Sequence, residues 1–251
     1  FDIRGNSLPT SMRVAVPATF QFEAETATNF EAGIKARWYN ADFNISYFNS
    51  TYDDLQQSVF DGTLTFNVQN AAKASIQGVE ADGRYLLADG LVLSGSLAFL
   101  DFEFDNFATA QCFFGQTPGT NGFCDITGQR PARTPKWTGH LALDYEREIS
   151  DNLELGVNLS MDYSSSYLTA SNLDPNTRQG SYATVDGRIS LGQIDKGWRL
   201  SVIANNIFDK RVLLVSSALP LATTFTGGAG VAYYGLFNRP RNIAVKADFS
   251  F

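Results

Sequence analysis

The sequence lacks any stretch suited to a transmembrane helix. Its longest uncharged stretch, residues 212–238, is long enough to span a bilayer but contains Pro220, several glycines, and several serines and threonines. A lipid-exposed helix would not tolerate that composition without partners, so a long apolar loop is predicted there. The mean hydropathy of −0.13 is also too polar for a bundle of transmembrane helices.

Positive charge is scarce as well. The chain has 19 Lys and Arg against 26 Asp and Glu among its 251 residues, for a net charge of −7. This argues against a nucleic-acid partner, because neutralising phosphates requires clustered Lys and Arg. Aromatic residues are abundant instead, with 20 Phe and 10 Tyr. A polar average with many aromatics favours a protein with an apolar belt outside and a polar interior.

No group of residues indicates catalysis. The one histidine, His140, shares a predicted strand face with Asp144, but four strand residues separate them by roughly 13 Å. Glu80 and Asp82 are interpreted as lining of a polar interior rather than as a general acid–base pair. The sequence therefore predicts no enzyme, no metal site and no cofactor.

The two cysteines lie close together in a turn-rich segment. Cys112 and Cys124 have Gly and Pro residues between them. A metal site would need more ligands, and a catalytic thiol would need a base nearby. The spacing therefore predicts a disulfide within a loop, formed in an oxidising compartment.

Alternation of apolar and polar residues recurs along almost the whole chain. In the last segment, one face carries Ile243, Val245, Ala247, Phe249 and Phe251, and polar residues occupy most of the other. About nine such segments can be distinguished, beginning near residues 28, 43, 79, 91, 136, 153, 185, 198 and 242. Segments of roughly ten alternating residues are typical of an outer-membrane barrel. The predicted fold class is all-β, an antiparallel transmembrane β-barrel.

Connection lengths predict the orientation of this barrel. Connections near residues 40, 89, 151 and 194 are short, and those at 105–135, 165–181 and 211–238 are long. In outer-membrane barrels the long loops lie outside the cell and the tight turns face the periplasm. The hairpin signal Asp61-Gly62 is the exception, because it places a short turn on the long-loop side.

The alternation also predicts side-chain directions. A charged side chain that faces lipid destabilises the barrel, so charged residues are expected to face the interior. The residues expected to face lipid are Val185, Ile189, Leu155, Leu159, Ile243 and Phe249. Those expected to face inward are Asp186, Arg188, Asn158, Lys246 and Asp248. Aromatic residues at strand ends indicate either an interfacial girdle or ordinary β-propensity; they are Trp38, Tyr85, Tyr145, Tyr163 and Trp198.

Several short strings are distributed over most of the chain. They are Thr28-Asn29-Phe30-Glu31-Ala32-Gly33-Ile34-Lys35, Gly78-Val79-Glu80, Pro135-Lys136-Trp137, Asn205-Asn206-Ile207-Phe208-Asp209-Lys210 and Arg239-Pro240-Arg241. In this order they resemble one family, the TonB-dependent outer-membrane receptors. The terminal strand, ending with Phe249 and Phe251, is expected to carry the barrel-assembly signal.

The resemblance implies a barrel of about 22 strands around a plug domain. This chain accounts for roughly nine or ten strands. Residues 1–25 are expected to form a loop or partial strand, and residues 26–251 the C-terminal part of the barrel. The plug and the TonB box are expected in sequence outside this chain, although a complete small barrel is an alternative.

The resemblance also implies a function in the Gram-negative outer membrane. The outer loops would capture a scarce ligand, most often a ferric siderophore. An energised inner-membrane system of TonB, ExbB and ExbD would then pull on the plug. Outer-membrane lipid and lipopolysaccharide would surround the barrel. The alternative is a passive porin or a structural barrel protein, which a plug and a TonB box would exclude.

Aromatic clusters on the long loops are the candidate ligand contacts. They are Phe113, Phe114 and Phe123 in one loop and Phe225, Tyr233, Tyr234 and Phe237 in another. The alternative is that these rings pack among themselves or against a partner chain. An anionic ferric complex would also need cations at the rim, for which Arg130, Arg133, Arg211 and Arg239 are the candidates.

Overall fold

The computed structural model describes residues 24–60, 66–150, 152–193, 197–219, 227 and 230–249. Their secondary structure is almost entirely β. The strands are β1 (Thr26–Trp38), β2 (Ala41–Phe60), β3 (Phe66–Ala88), β4 (Leu91–Asn106), β5 (Trp137–Ser150), β6 (Leu153–Ser164), β7 (Tyr167–Leu168), β8 (Arg178–Gln179), β9 (Tyr182–Gln193), β10 (Trp198–Asn205), β11 (Leu213–Ala218), β12 (Tyr233–Phe237) and β13 (Asn242–Phe249). A single turn of 3-10 helix, Pro175–Thr177, precedes β8.

Nine of these strands form one antiparallel sheet in the order β1-β2-β3-β4-β5-β6-β9-β10-β13. Neighbouring strands of this sheet follow one another along the chain, apart from the short pairs β7–β8 and β11–β12, which form two separate sheets. This meander confirms the predicted all-β antiparallel fold and the predicted alternating segments. None of the helices described is long and apolar enough to cross a membrane.

One face of the sheet is apolar across all nine strands. In one row, Ile34, Ile45, Ala81, Leu97 and Gly139 lie side by side. A second row joins Val157, Ile189, Val202 and Val245. The residues predicted to face lipid all belong to this face, which is largely exposed. A lipid-facing belt is the arrangement that satisfies such a surface in a membrane protein.

The opposite face is predominantly polar. One row across six strands contains Lys35, Asn44, Asp82, Ser96, His140 and Asp162. Asn158 pairs with Arg188 two rows away on the same face, and both side chains lie on this polar face, as predicted. We refer to the two sides below as the outer apolar face and the inner polar face.

The short turns require backbone conformations that few residues adopt. Tyr39, Gly90, Asn152 and Gly197 all have positive φ values, between 46° and 70°. At Gly90 a Cβ atom would lie 2.1 Å from the carbonyl oxygen of Glu146, so only glycine fits. These turns hold the hairpins closed at one end of the sheet.

The predicted exception at Asp61-Gly62 has a structural counterpart. That turn lies outside the described residues, but strands β2 and β3, which flank it, have 20 and 23 residues. About 9–11 residues suffice to cross a bilayer. Strands of this length extend beyond the membrane-crossing part of the sheet, at the end that the loop lengths predict to face outward.

Two predicted loops contain short strands. Residues 211–238, predicted as a long apolar loop, contain the hairpin β11–β12. Residues 165–181 contain the pair β7–β8. Both pairs were missed because the alternating runs are short and Gly, Pro and Asn interrupt them. The predicted boundary at residue 25 falls beside residues that the structure does not describe.

Candidate functional site

The long-loop end holds the predicted disulfide. Cys112 and Cys124 are bonded, with Cα atoms 5.1 Å apart, which confirms the prediction. Ala110 and Cys124 also exchange two backbone hydrogen bonds of 3.0 and 2.9 Å. The disulfide therefore closes the base of a loop that the backbone already pairs.

A small hydrophobic core anchors this loop to the sheet. Phe104 and Phe107 meet edge to face at 5.0 Å, and Ala74, Ile126 and Leu173 are buried with them. Phe104 alternates with outward-facing Phe99, so its ring lies on the inner side of the sheet. The disulfide loop and residues 165–181 consequently fold together over the inner side of β3 and β4.

The three predicted ligand aromatics of the disulfide loop differ in exposure. Phe114 is 47% exposed. Phe113 is half-buried, and its backbone N–H donates to Gln116 Oε1 at 3.2 Å. Phe123 packs against the loop core. Phe114 is therefore the ring of this loop that an external molecule reaches most readily.

A hydrogen-bonded link joins the 165–181 loop to the β11–β12 hairpin. The Tyr233 hydroxyl donates to Asp174 Oδ2 at 2.7 Å and accepts from Asn176 Nδ2 at 3.1 Å. Asp174 is buried and also accepts from the Asn176 backbone at the start of the 3-10 turn. Burial, together with the hydrogen bond to Asp174, raises the pKa of Tyr233. We call this set of three residues the Tyr233 link.

Buried hydroxyl and amide groups strengthen the same junction. The Thr169 hydroxyl donates to the carbonyl of Thr177 or of Ser216 and accepts from the Ser216 backbone N–H at 3.0 Å. Gln179 Oε1 accepts from the Leu213 backbone N–H at 2.6 Å. Hydrogen bonds between buried polar groups hold the elements that carry them in one arrangement. The two loops therefore form a single structured unit.

The hairpin leaves part of its aromatic surface exposed. Tyr234 is 45% exposed and Phe237 is 50% exposed. The Arg211 guanidinium lies over the Phe237 ring, 4.8 Å from its centroid. Phe225, predicted to belong to this cluster, lies outside the described residues. Tyr234 and Phe237 thus remain accessible, whereas the Tyr233 hydroxyl is engaged.

The four predicted rim cations have different surroundings. Arg130 binds Asp101 Oδ1 at 2.9 Å, and Arg133 Nε donates to the Thr169 carbonyl at 3.2 Å. Arg211 stacks on a ring, as described above. Arg239 is exposed, and its backbone carbonyl accepts from Asn206 Nδ2. The sequence grouped these four, but the structure does not bring them together at one point.

The inner polar face is lined by cross-strand hydrogen bonds. His140 Nδ1 lies 2.7 Å from Asp162 Oδ1, on the neighbouring strand, rather than near Asp144. Asp144 instead accepts from Asn158 at 2.6 Å. A cavity of about 360 Å³ lies beside His140. The wall below the loops therefore offers polar groups to whatever fills the interior.

Charged groups cluster nearer the short turns. Arg199 lies between Glu146, at 3.3 Å, and Glu154. A cavity of about 780 Å³ opens beside them, also lined by Arg84 and Arg147. Within the part of the chain that the structure describes, no three His, Cys, Asp or Glu residues are arranged to hold a metal ion.

The sequence analysis identified Tyr233 but not its partners Asp174 and Asn176, through which the two loops are joined. Asp174 caps the 3-10 turn, and Pro175 occupies its first position. Asp followed by Pro is a recognisable signal for such a start. That signal identifies a local turn, but it does not reveal that Tyr233 lies against the same carboxylate.

Comparison with known proteins identifies the fold. A model of the family described as TonB dependent receptor-like, beta-barrel, matches residues 4–207. The ferric yersiniabactin uptake receptor FyuA from Yersinia pestis is 18% identical, with a TM-score of 0.69 over 92% of this chain and 30% of that receptor. The siderophore receptor PiuA from Acinetobacter baumannii is 18% identical, with a TM-score of 0.62 over 88% and 28%. The copper transporter OprC is 17% identical, with a TM-score of 0.59 over 90% and 32%.

These matches agree with the architecture. The chain spans between 28% and 32% of the length of the three structures. The family consists of transport receptors of the Gram-negative outer membrane rather than enzymes. The family match covers most of the chain, including strands β1 to β10. The chain therefore belongs to the TonB-dependent receptor-like β-barrel family.

Proposed function

We propose that this chain forms part of the barrel of an outer-membrane receptor for TonB-dependent uptake of a scarce ligand, with ferric siderophores as the leading ligand class. The observation that carries the proposal is a structured, aromatic loop unit placed directly over a polar inner wall. A passive pore needs the polar wall but has no need of the organised loop surface.

The loop unit is suited to binding because it is already ordered. The disulfide, the loop core and the Tyr233 link fix its backbone before any ligand arrives. A surface that is ordered in advance loses less conformational entropy on binding. Among the described residues, Phe114, Tyr234 and Phe237 are the predicted ligand residues that remain exposed on it. Phe113, Phe123 and Tyr233 would act mainly by holding these positions.

Ligand chemistry follows from the charges near this surface. Of the three similar proteins, one is a receptor for ferric yersiniabactin, one is a siderophore receptor and one is a copper transporter. An anionic ferric complex needs cations, of which Arg211 and Arg239 lie on the segment that carries the hairpin. Arg133 is committed to a loop carbonyl. Further cations would come from the rest of the receptor.

The family membership also suggests the energy source for uptake and the molecules that surround the barrel. Uptake would depend on a plug domain and a TonB box elsewhere in the receptor, contacted by TonB with ExbB and ExbD. Outer-membrane lipid and lipopolysaccharide would surround the apolar face. These partners are proposals, supported by the family match and by the exposed apolar face.

Uptake by intact cells tests the proposal. The receptor would be expressed in iron-starved cells with and without a functional TonB, and ⁵⁵Fe uptake measured from ferric catecholate, hydroxamate and carboxylate siderophores. Receptor-dependent uptake that disappears without TonB is expected for at least one of these complexes. Uptake that persists without TonB would favour the passive porin.

Loop variants test the ligand surface separately. Replacing Tyr234 and Phe237 with Ala should weaken binding of the transported complex by about tenfold or more, since buried aromatic contacts dominate binding energy. Val68→Ala, an equally exposed apolar site on the β2–β3 hairpin, serves as the matched control. Unchanged affinity in the double variant, at normal surface levels, would assign these aromatics to packing or to a partner chain.

A further inference from the structure

Three cationic side chains surround a cavity of about 500 Å³ between residues 129–137 and 165–178. They are Arg130, Lys136 and Arg178. Trp137 and Ser165 also line this cavity. Such a concentration of positive charge is unusual in a chain whose net charge is −7.

The sheet register places the two cations beside Asp101 on the outer side of the barrel. Asp101 lies two residues after Phe99 in β4, so both side chains project from the outer apolar face. Arg130 Nη2 lies 2.9 Å and Lys136 Nζ 3.9 Å from Asp101 Oδ1. The two cations therefore reach the outer face, two residues beyond Phe99 on the side of the long loops.

An aromatic pair marks the level of the membrane surface directly below. The rings of Phe99 and Trp137 lie 4.8 Å apart, at the last paired position between β4 and β5. Tyr163, which the register places in the adjacent row, is also exposed on the outer face. Aromatic residues at this level are typical of the interface between hydrocarbon and headgroups. The cations therefore lie at headgroup height.

The cluster retains uncompensated positive charge. Asp101 is the one carboxylate that the described contacts place against it. The described partner of Arg178 is a neutral hydroxyl, Ser166 Oγ, at 3.0 Å. Arg130 is held in position by the carbonyls of Leu100 and Thr134. Because three cationic side chains face one carboxylate, the cluster has excess positive charge and is suited to bind an anion.

We infer that this cluster binds the phosphate group of a lipid in the outer leaflet. Arg and Lys donors match the several acceptor oxygens of a phosphate. The acyl chains of such a lipid would lie along Trp137, Phe99 and the apolar rows below. The cavity extends to Leu168 and Leu173 of the loop core, but Arg130 and Lys136 meet Asp101 on the outer face. That position favours a lipid over a soluble ligand on its way to the lumen. The inference rests on the outer-membrane placement and not on the identity of the transported ligand.

Binding of lipid A to the intact purified receptor tests the inference. Native mass spectrometry would compare lipid A carrying both phosphates with chemically dephosphorylated lipid A. Lys136→Gln combined with Arg178→Gln should weaken binding of the phosphorylated form by about tenfold or more, given the strength of charge-assisted hydrogen bonds. Lys210→Gln, an exposed cation in another loop, should bind as the parent does.

A variant that gains affinity excludes misfolding as the explanation. Asp101→Asn removes the competing carboxylate while the two carbonyls still hold Arg130, so it should tighten phosphorylated lipid A. Equal binding of the dephosphorylated form, or parental affinity in the double variant, would overturn the inference. Inorganic phosphate binding as tightly as the lipid would overturn the lipid assignment. Siderophore uptake is measured separately, so failure here leaves the proposed function standing.

Discussion

At the scale of single residues, hydrogen bonds decide which groups of the long-loop end remain available to a ligand. Tyr233 and Tyr234 are adjacent, yet Tyr233 donates to buried Asp174 whereas Tyr234 is exposed. Alternation along β12 explains the difference, because consecutive side chains of a strand point to opposite faces. Tyr233 therefore stabilises the position of the hairpin, and the ring of Tyr234 is accessible to a ligand.

Removing the Tyr233 hydroxyl should loosen the hairpin. In Tyr233→Phe, Asp174 Oδ2 loses its partner, which costs about 1–3 kcal/mol for a buried polar group. Hydrogen exchange of the amides in residues 213–237 should accelerate accordingly. The matched control is Tyr234→Phe, which should leave the exchange unchanged. Parental exchange rates in Tyr233→Phe would show that the remaining contacts are sufficient.

The raised pKa of Tyr233 gives this prediction a pH dependence. The fold favours the neutral phenol, so its stabilisation is complete below the ordinary tyrosine pKa of about 10 and is lost as pH rises through the raised value. Tyr167, in the adjoining 165–181 loop, behaves alike, since burial, followed by the effect of Tyr182, raises its pKa to about 12. Exchange in the 213–237 amides of the parent should therefore accelerate in this alkaline range. Tyr233→Phe should show a smaller change.

At the scale of elements, each strand of the sheet has one apolar face and one polar face. Leu97 and Ser96 are neighbours in β4, but Leu97 lies on the outer apolar face and Ser96 between Asp82 and His140 on the inner one. Both side chains are exposed. They provide a matched pair in which only the direction of the side chain differs.

Arginine should impair barrel assembly at position 97 but not at position 96. Leu97→Arg places a charge against hydrocarbon and should cost about 2–4 kcal/mol near mid-depth. Ser96→Arg places it beside Asp82 and should be tolerated. The fraction of heat-modifiable, folded barrel on unheated gels measures assembly. Equal assembly of the two variants would mean that the outer face of β4 does not contact lipid.

At the scale of the whole molecule, the nine-stranded sheet has two open edges. Among the described residues, β1 pairs only with β2, and β13 only with β10. Unpaired backbone groups cannot remain in hydrocarbon, so the barrel must be closed by further pairing. The family match and the share of each similar structure that the chain covers both fit a section of a larger barrel.

This arrangement predicts that the chain will not behave as a monomer by itself. Refolded alone in detergent, it should self-associate through β1 and β13, because exposed edges pair with other chains. Size-exclusion chromatography with light scattering would detect the oligomers. The same chain within the intact receptor should remain monodisperse. A heat-modifiable monomer of the isolated chain would instead favour a complete small barrel.

Some features of this protein follow from its sequence alone. Alternation with a period of two assigns Ile189 and Val245 to one face and Asn158 and Lys246 to the other, whatever the neighbouring strands are. The disulfide was predictable because Cys112 and Cys124 are close along the chain and no third ligand accompanies them. The family strings were likewise local, so they could be recognised without coordinates.

Other features were decided by the tertiary structure. Tyr233 and Asp174 are 59 positions apart, Thr169 and Ser216 are 47 apart, and no periodicity connects either pair. Arg130 was assigned to a ligand rim from its loop position alone, yet it reaches Asp101 on the outer face. Loops lack the repeat that fixes side-chain direction in strands. Their contacts depend instead on how the strand register brings separate segments together, which local sequence does not encode.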